Sequence, residues 1–253
     1  QAQKSLIVMN AHAVNAGQLP ELGAKDRDFF FLRRTSPASV VQTVCELCAR
    51  RLPENLHIAP EDIQVLSPSR RYEVGTGALN LALQAVLNPP DPIKREKQRG
   101  EFLLREGDRV MQIRNNYDIL WKKTDGSAHG TGIYNGDIGV VQEIRPQDET
   151  LTILFDDDRL ALYSFELLPE LELAYAMTVH KSQGSEYRAV VLVLAGGSPF
   201  LLTRNVLYTA ITRARELLIV VGNEQTVAKM VENDRRQRRY SGLRIRLAEG
   251  TDT

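Results

Sequence analysis

The sequence predicts an α/β fold, a parallel sheet with helices on both faces interrupted by a small inserted β-barrel. Three observations carry this expectation. Ile63 to Leu66 is a short apolar run that ends in Ser67-Pro68, passes through a loop to Gly77, and leads into a helical stripe at Leu79, Leu83, Val86 and Leu87 that stops at Pro89-Pro90. From about Gly107 the texture changes to short alternating stretches, Arg109 to Ile113, Gly139 to Ile144, Leu151 to Phe155 and Leu160 to Tyr163, divided by glycine- and aspartate-rich turns. Strand and helix then alternate again. Ala174 to Val179 and Val190 to Leu194 read as buried parallel strands. A helix from about Thr203 to Arg215, a strand Leu217 to Val221 ending at Gly222 and a helix from Gln225 to about Arg235 follow.

Upstream of these, Phe29 to Leu32 reads as a strand. Ser36-Pro37 supplies an N-cap and a first-turn proline for a helix whose face is stepped by Val40, Val44, Leu47 and Arg51. The expected organisation is residues 1–104 for the first part of the α/β domain, 105–170 for the barrel, 171–240 for the remainder and 241–253 for a tail, disordered beyond Leu247.

Composition excludes more than it selects. With 43% hydrophobic and 25% charged residues the chain can bury an ordinary core. No apolar run approaches the roughly 18 residues that span a bilayer, and the N-terminus lacks a signal peptide's basic and apolar regions, so a cytoplasmic protein without membrane association is expected. Thirty-two basic and thirty-two acidic residues cancel, so affinity for nucleic acid has to rest on local clusters such as Arg33-Arg34, Arg70-Arg71, Lys94 to Arg99 and Arg235 to Arg239. The last of these is expected to be a solvated helix end. Cys45 and Cys48 have the spacing of half a zinc site without a second pair, and the four histidines are scattered. Two half-buried thiols on a helix, and no metal site, are expected.

Two stretches carry chemistry. In Tyr175 to Tyr187, YAMTVHKSQGSEY, Gly184 allows backbone amides to approach a phosphate, Glu186 can accept from a ribose hydroxyl, and Thr178, His180, Lys181 and Ser182 offer donors to a nucleic-acid backbone. A tight loop satisfying its own backbone is the alternative. His180 to Glu186 are expected on a loop at the carboxyl ends of the parallel strands, after the strand ending at Val179, where open α/β sheets bind ligands. In Leu207 to Arg215, LYTAITRAR, an apolar stripe of Val206, Leu207, Ala210, Ile211 and Ala214 turns Arg213 outward, where a guanidinium can stabilise charge on a transferring phosphoryl group; Arg215 reads rather as a surface arginine paired with an acid. No Gly-Lys dipeptide occurs, so the loop that cradles β- and γ-phosphates cannot lie in this sequence.

Together these stretches resemble a known family. YAMTVHKSQGSEY resembles motif V and NVLYTAITRARELLIVVG motif VI of superfamily 1 helicases. SPSRRYEVGTGALNLALQAVLNP, GDRVMQIRNNYD and YNGDIGVVQEI are similar to the RecD-like members, the group of the exodeoxyribonuclease V alpha chain and TraA, over most of the chain from Gln1 to about Gly222. The resemblance implies a RecA-like sheet of the P-loop-NTPase type with an inserted SH3-like barrel. It implies 5′→3′ polarity on single-stranded DNA in repair or recombination, with ATP and Mg²⁺ held mainly by a preceding RecA-like domain of the same protein. It further implies that Arg213 is an arginine finger, that Gly184 and Glu186 contact nucleotide, that Thr178 and His180 contact the DNA backbone, and that Ser185 does either.

By the same resemblance QAQKSLIVMNAHAVNAG is similar to the segment after a Phe-Arg-Gln motif, which makes Gln1 a nucleotide contact, gives the missing initiator methionine its reason, and makes the chain a motor fragment inactive alone. Arg70 and Arg71 depart from the family pattern, because Tyr72 rather than glycine follows them and glycine appears at Gly75; phosphate contact and plain loop charge both remain open. Tyr117 and Trp121 either stack bases or pack the barrel. Asn80, Gln84 and Asn88 share a helix face that either lines a DNA path or is solvated. GTGIYNG, residues 130–136, is expected to be a hairpin turn. Partner subunits of a recombination complex, the helicase part of a conjugative relaxase, and a non-catalytic nucleic-acid-binding module with a degenerate RecA fold are the readings the sequence leaves beside a stand-alone helicase.

Overall fold

A computed structural model describes residues 5–25, 27–100 and 102–234; Gln1, Arg235 to Arg239 and the tail lie outside them. Along the chain α1 (Leu6–Asn15) precedes β1 (Phe29–Arg33), and α2 (Pro37–Glu46) runs through one wide turn at Leu47–Arg51 into α3 (Leu52–Leu56). β2 (Ile63–Ser67) leads to α4 (Thr76–Leu87). A hairpin of β3 (Glu96–Arg99) and β4 (Phe102–Arg105) is followed by β5 (Arg109–Gln112), β6 (Asn116–Lys123), β7 (His129–Ile133), β8 (Ile138–Arg145), β9 (Thr150–Phe155), β10 (Arg159–Ser164) and β11 (Leu171–Leu173). β12 (Ala176–Thr178), β13 (Tyr187–Leu194), α5 (Arg204–Ile211), β14 (Ala214–Gly222) and α6 (Glu224–Glu232) complete it.

The five-stranded sheet has the order β1-β14-β13-β2-β12, with every pairing parallel. Strand alternation splits its residues between two layers of helix. Val190, Leu192, Leu194, Leu218 and Val220 join the core beneath α1, α5 and α6, whereas Val191, Val193, Ile219 and Val221 join Val40, Val44, Leu79 and Leu83 from α2 and α4. The second core continues without a break into the interior of the seven-stranded antiparallel sheet, through Val110, Ile119, Ile133, Ile153 and Tyr163. Within the described residues this is the expected α/β architecture with a curled antiparallel insertion.

Several sequence expectations change at the element ends. The helix expected to reach Arg215 stops at Ile211, because Tyr187 N–H donates to the Arg213 carbonyl (2.8 Å) and draws the chain into β14 at Ala214, after the two-residue turn Thr212-Arg213. Ala214 therefore belongs to a strand and not to the helical stripe. GTGIYNG is not one turn: Gly130 to Ile133 lie inside β7, and Gly136, at φ +100°, turns the chain into β8. Cys48 is buried and Cys45 half-buried, and burial raises both thiols above their ordinary range.

The polar stripe of α4 is neither solvated nor a DNA path. Asn80 exchanges hydrogen bonds with the backbone of Ala176 in β12, at 2.9 Å to its carbonyl and 2.8 Å from its N–H. Gln84 Nε2 and Asn88 Nδ2 donate to the Asp108 carboxylate at 2.6 and 2.7 Å. Tyr175 Oη (2.9 Å) and the Arg105 main-chain N–H (2.7 Å) complete four donors on this fully buried acid. Burial raises the Asp108 carboxyl above the usual carboxylate range, and the donors oppose that rise. Asp108 thus ties the root of the antiparallel sheet to α4 and to the strand that carries Thr178.

Candidate functional site: two edges of one sheet

The carboxyl edge is built by the ends of β2 and β12. After β2, Ser67 Oγ donates to the Val74 carbonyl (3.2 Å) and accepts from Ser69 N–H (3.3 Å), and Gly77 N–H donates to the Arg70 carbonyl (3.2 Å), closing the loop on itself. Tyr72, exposed, takes a left-handed φ of +76°, the conformation a glycine would supply in the family pattern. Gly75 is required for a different reason: a Cβ there would lie 2.1 Å from the Arg71 carbonyl oxygen. Gly75→Ala is expected to cost about 1–3 kcal/mol through forced displacement of the loop, read as a lower urea midpoint. Arg70 and Arg71 stand exposed on this loop.

At the end of β12 Thr178 is half-buried and His180 exposed, and Val179 N–H donates to the Ser67 carbonyl (3.2 Å), binding the two loops together. Lys181 Nζ lies 2.9 Å from Glu172 Oε2 and Arg70 Nη2 lies 2.7 Å from Glu172 Oε1. Ser182 does not face solvent. It is fully buried with Oγ donating to the Val179 carbonyl (2.8 Å), so its side chain shapes the turn and is not available to DNA.

The expectation that His180 to Glu186 all lie at the carboxyl edge is corrected by the strand register. Thr178 pairs with Ser67, whereas Ala189 pairs with Ile63 in the same strand β2. Tyr187 therefore starts β13 at the opposite edge of the sheet, about 20 Å away at the usual rise per strand residue. Between them the chain winds through turns in which Lys181 N–H donates to the Thr178 carbonyl (2.9 Å) and Ser185 N–H to the Ser182 carbonyl (3.1 Å), with Gly184 at φ +89°. Open space surrounds the position a Gly184 Cβ would take.

Ser185, Glu186 and Arg213 meet at this amino edge. Arg213, half-buried in the turn between α5 and β14, donates from Nη1 to the Ser185 carbonyl (2.7 Å), from Nε to the Thr209 carbonyl (3.2 Å) and from Nη2 to Thr212 Oγ1 (3.3 Å). Its acceptors are neutral, so the guanidinium is held in place with its charge uncompensated by an ion pair among the described residues. Ser185 and Glu186, both exposed, open into a cleft of about 500 Å³ that also takes in Arg188 and Arg215 from the sheet and Asp137, Asp156 and Arg159 from the antiparallel insertion. Arg188 is paired with Asp62 (3.2 Å) and Glu216 (2.9 Å). Arg215, expected to be paired, has no ion-pair partner among the described residues and lines the cleft instead.

Burial raises the Tyr187 phenol above its ordinary range, with its hydroxyl 3.4 Å from Met177 Sδ beneath the crossing segment. Of the two aromatic candidates, Trp121 packs inward: a Cβ at Gly130 would come within 2.7 Å of its ring, and the Arg159 guanidinium lies 5.8 Å from the ring centroid. Tyr117 is exposed and edge-on to Tyr134 at 5.8 Å. No group of three or more His, Cys, Asp or Glu able to hold a metal occurs among the described residues, and no described helix is long and apolar enough to cross a membrane. Glu172 and Asp108 went unsignalled in the sequence, since their partners are separated from them by as many as 102 and 67 positions.

Comparisons with known proteins agree with this architecture. The SH3 domain of ATP-dependent RecD-like DNA helicases matches residues 79–155, and the UvrD-like helicase C-terminal domain matches residues 173–221. The ATP-dependent RecD2 DNA helicase of Deinococcus radiodurans is 34% identical over 223 residues, 88% of this chain and 27% of that protein. The RecBCD enzyme subunit RecD of Mycobacterium tuberculosis is 40% identical over 119 residues, 47% of this chain and 20% of that one. The chain thus spans about a quarter or less of the length of these relatives. A Bacteroides Pif1 helicase solved with ADP-AlF3 and single-stranded DNA superposes with a TM-score of 0.51 over 97% of this chain and 53% of that one; at 15% identity the likeness bears on the fold alone. With both matched domains seated on the fold described above, the chain belongs to the RecD-like DNA helicases and carries their SH3 domain and UvrD-like C-terminal domain.

Proposed function

We propose that this chain is the second motor wall of an ATP-driven 5′→3′ DNA helicase acting in repair or recombination, and that its two sheet edges divide the labour. The observation that carries the reading is the crossing of residues 178–187 from one edge to the other. Thr178, His180, Lys181 and Arg70 meet single-stranded DNA at the carboxyl edge, and Ser185, Glu186 and Arg213 meet nucleotide at the amino edge. Open space at Gly184 and the exposed carboxylate of Glu186 suit the approach of a phosphate and a ribose hydroxyl. ATP with Mg²⁺, held chiefly by a preceding RecA-like domain, supplies the phosphoryl group whose transfer releases the energy. Arg213 stabilises the charge that develops there, with its neutral acceptors fixing the guanidinium before nucleotide arrives. A change in its position is passed to DNA along the segment whose far end carries Thr178. Polarity follows from likeness to the RecD group, and the RecBCD subunits among the relatives support membership of a larger complex.

The test is strand polarity in the intact protein. With ATP and Mg²⁺ it is expected to unwind a duplex bearing a 5′ single-stranded tail and to leave its 3′-tailed counterpart paired. Preference for the 3′ tail, or unwinding without ATP, contradicts the proposal.

A further inference from the structure

Arg70, Glu172 and Lys181 come from three separate parts of the chain, the loop after β2, the last strand of the antiparallel sheet and the turn after β12. Their charges meet on one carboxylate, each oxygen of Glu172 serving a different cation, at 2.7 Å to Arg70 and 2.9 Å to Lys181. The side-chain exposures are 66% for Arg70, 33% for Lys181 and 17% for Glu172, so the carboxylate sits beneath and the cations lie outermost. A guanidinium carries five N–H donors and an ammonium three, so both cations keep donors for a second anion arriving from solvent. The cluster retains one net positive charge at the edge that bears Thr178 and His180. Exposed ion pairs contribute little to stability, so holding the fold does not account for a three-way convergence here.

We infer that Arg70 and Lys181 bind one backbone phosphate of the DNA strand between them. Glu172 is the positioning residue of that subsite: it presents the two cations together and, as a fixed counter-charge, keeps the contact weak enough to release when the strand moves. The inference rests on the reading that single-stranded DNA crosses this edge.

The test is fluorescence anisotropy of a labelled oligothymidylate bound to the intact helicase across a salt series, for the wild type, Arg70→Ala, Lys181→Ala, their double variant and Glu172→Gln. Each alanine variant is expected to bind more weakly. The slope of log affinity against log salt should fall by about 0.7 in the double variant, one single-strand phosphate. A fall of about 1.4 means two separate contacts and overturns the shared subsite, as does an unchanged slope. Glu172→Gln is expected to tighten binding about three- to tenfold at low salt, by removing one negative charge some 6 Å from the phosphate, and to lower the strand-stimulated turnover of ATP. Unchanged or weaker binding by this variant overturns the counter-charge role. A protein that hydrolyses ATP on DNA with an unchanged slope in the double variant loses this subsite alone. One that neither binds DNA nor responds to it loses the proposed function as well.

Discussion

Arg213→Ala in the intact helicase is expected to lower the turnover number of DNA-stimulated ATP hydrolysis by about 10³- to 10⁵-fold while changing nucleotide affinity far less. The asymmetry follows from the position of the guanidinium. Arg213 is fixed by the carbonyls of Ser185 and Thr209 with no carboxylate among the described residues to neutralise it, so in the proposed role its charge would find its counterpart as the phosphoryl group transfers. Arg213→Lys should not restore the rate, because an ammonium cannot span both carbonyls and still present a fork of donors. Steady-state hydrolysis beside equilibrium binding of a fluorescent nucleotide separates the two quantities. Equal losses in turnover and affinity would mean that Arg213 binds the ground state and is not a finger.

The largest effect on stability is expected at Asp108. Replacing it with alanine strips the acceptor from Gln84, Asn88, Tyr175 and the Arg105 N–H, all buried or partly so, and leaves donors that water reaches only by opening the joint. A loss of about 3–5 kcal/mol in unfolding free energy is expected from urea denaturation followed by circular dichroism. Asp108→Asn keeps one acceptor oxygen and should fall between alanine and wild type. A change below about 1 kcal/mol for alanine would mean that the joint between sheet and insertion does not depend on this acid. Because Tyr175, which donates to Asp108, directly precedes β12, partial loss of DNA affinity should accompany the loss of stability.

What the sequence made legible, and what it hid, follows from the range of the interactions. The strand Val190 to Leu194 was readable because burial on both faces leaves a continuous hydrophobic run, and Ile63 to Leu66 because only the buried Gln64 interrupts its apolar residues. The helix α1 was not read, although Ser5 caps it locally by accepting from Val8 N–H; Asp28 adds a second acceptor for its first turn, taking Leu6 N–H at 2.8 Å across 22 positions. Asn80, Gln84 and Asn88 have the spacing of a helix face, but only the fold reveals that this face turns inward onto Asp108. β6 escaped notice because its outward residues Tyr117 and Leu120 blur the alternation that marks a half-buried sheet.

At the candidate site the residue types were legible and their placement was not. Thr178, His180, Glu186 and Arg213 were picked out by type from a local motif, yet the division of that motif between two edges depends on register against β2, to which local spacing gives no access. The burial of Ser182 and the convergence of Arg70 and Lys181 on Glu172 share that origin.

The most direct measurement is a structure of the intact helicase bound to ADP, aluminium fluoride and a single-stranded oligonucleotide. Arg213 should donate to the fluoride at about 3 Å, with Glu186 toward the ribose, while Thr178 and His180 contact strand phosphates at the opposite sheet edge. Nucleotide and DNA lying against the same edge, or Arg213 turned away from the fluoride, would contradict the division of the sheet into a nucleotide edge and a DNA edge.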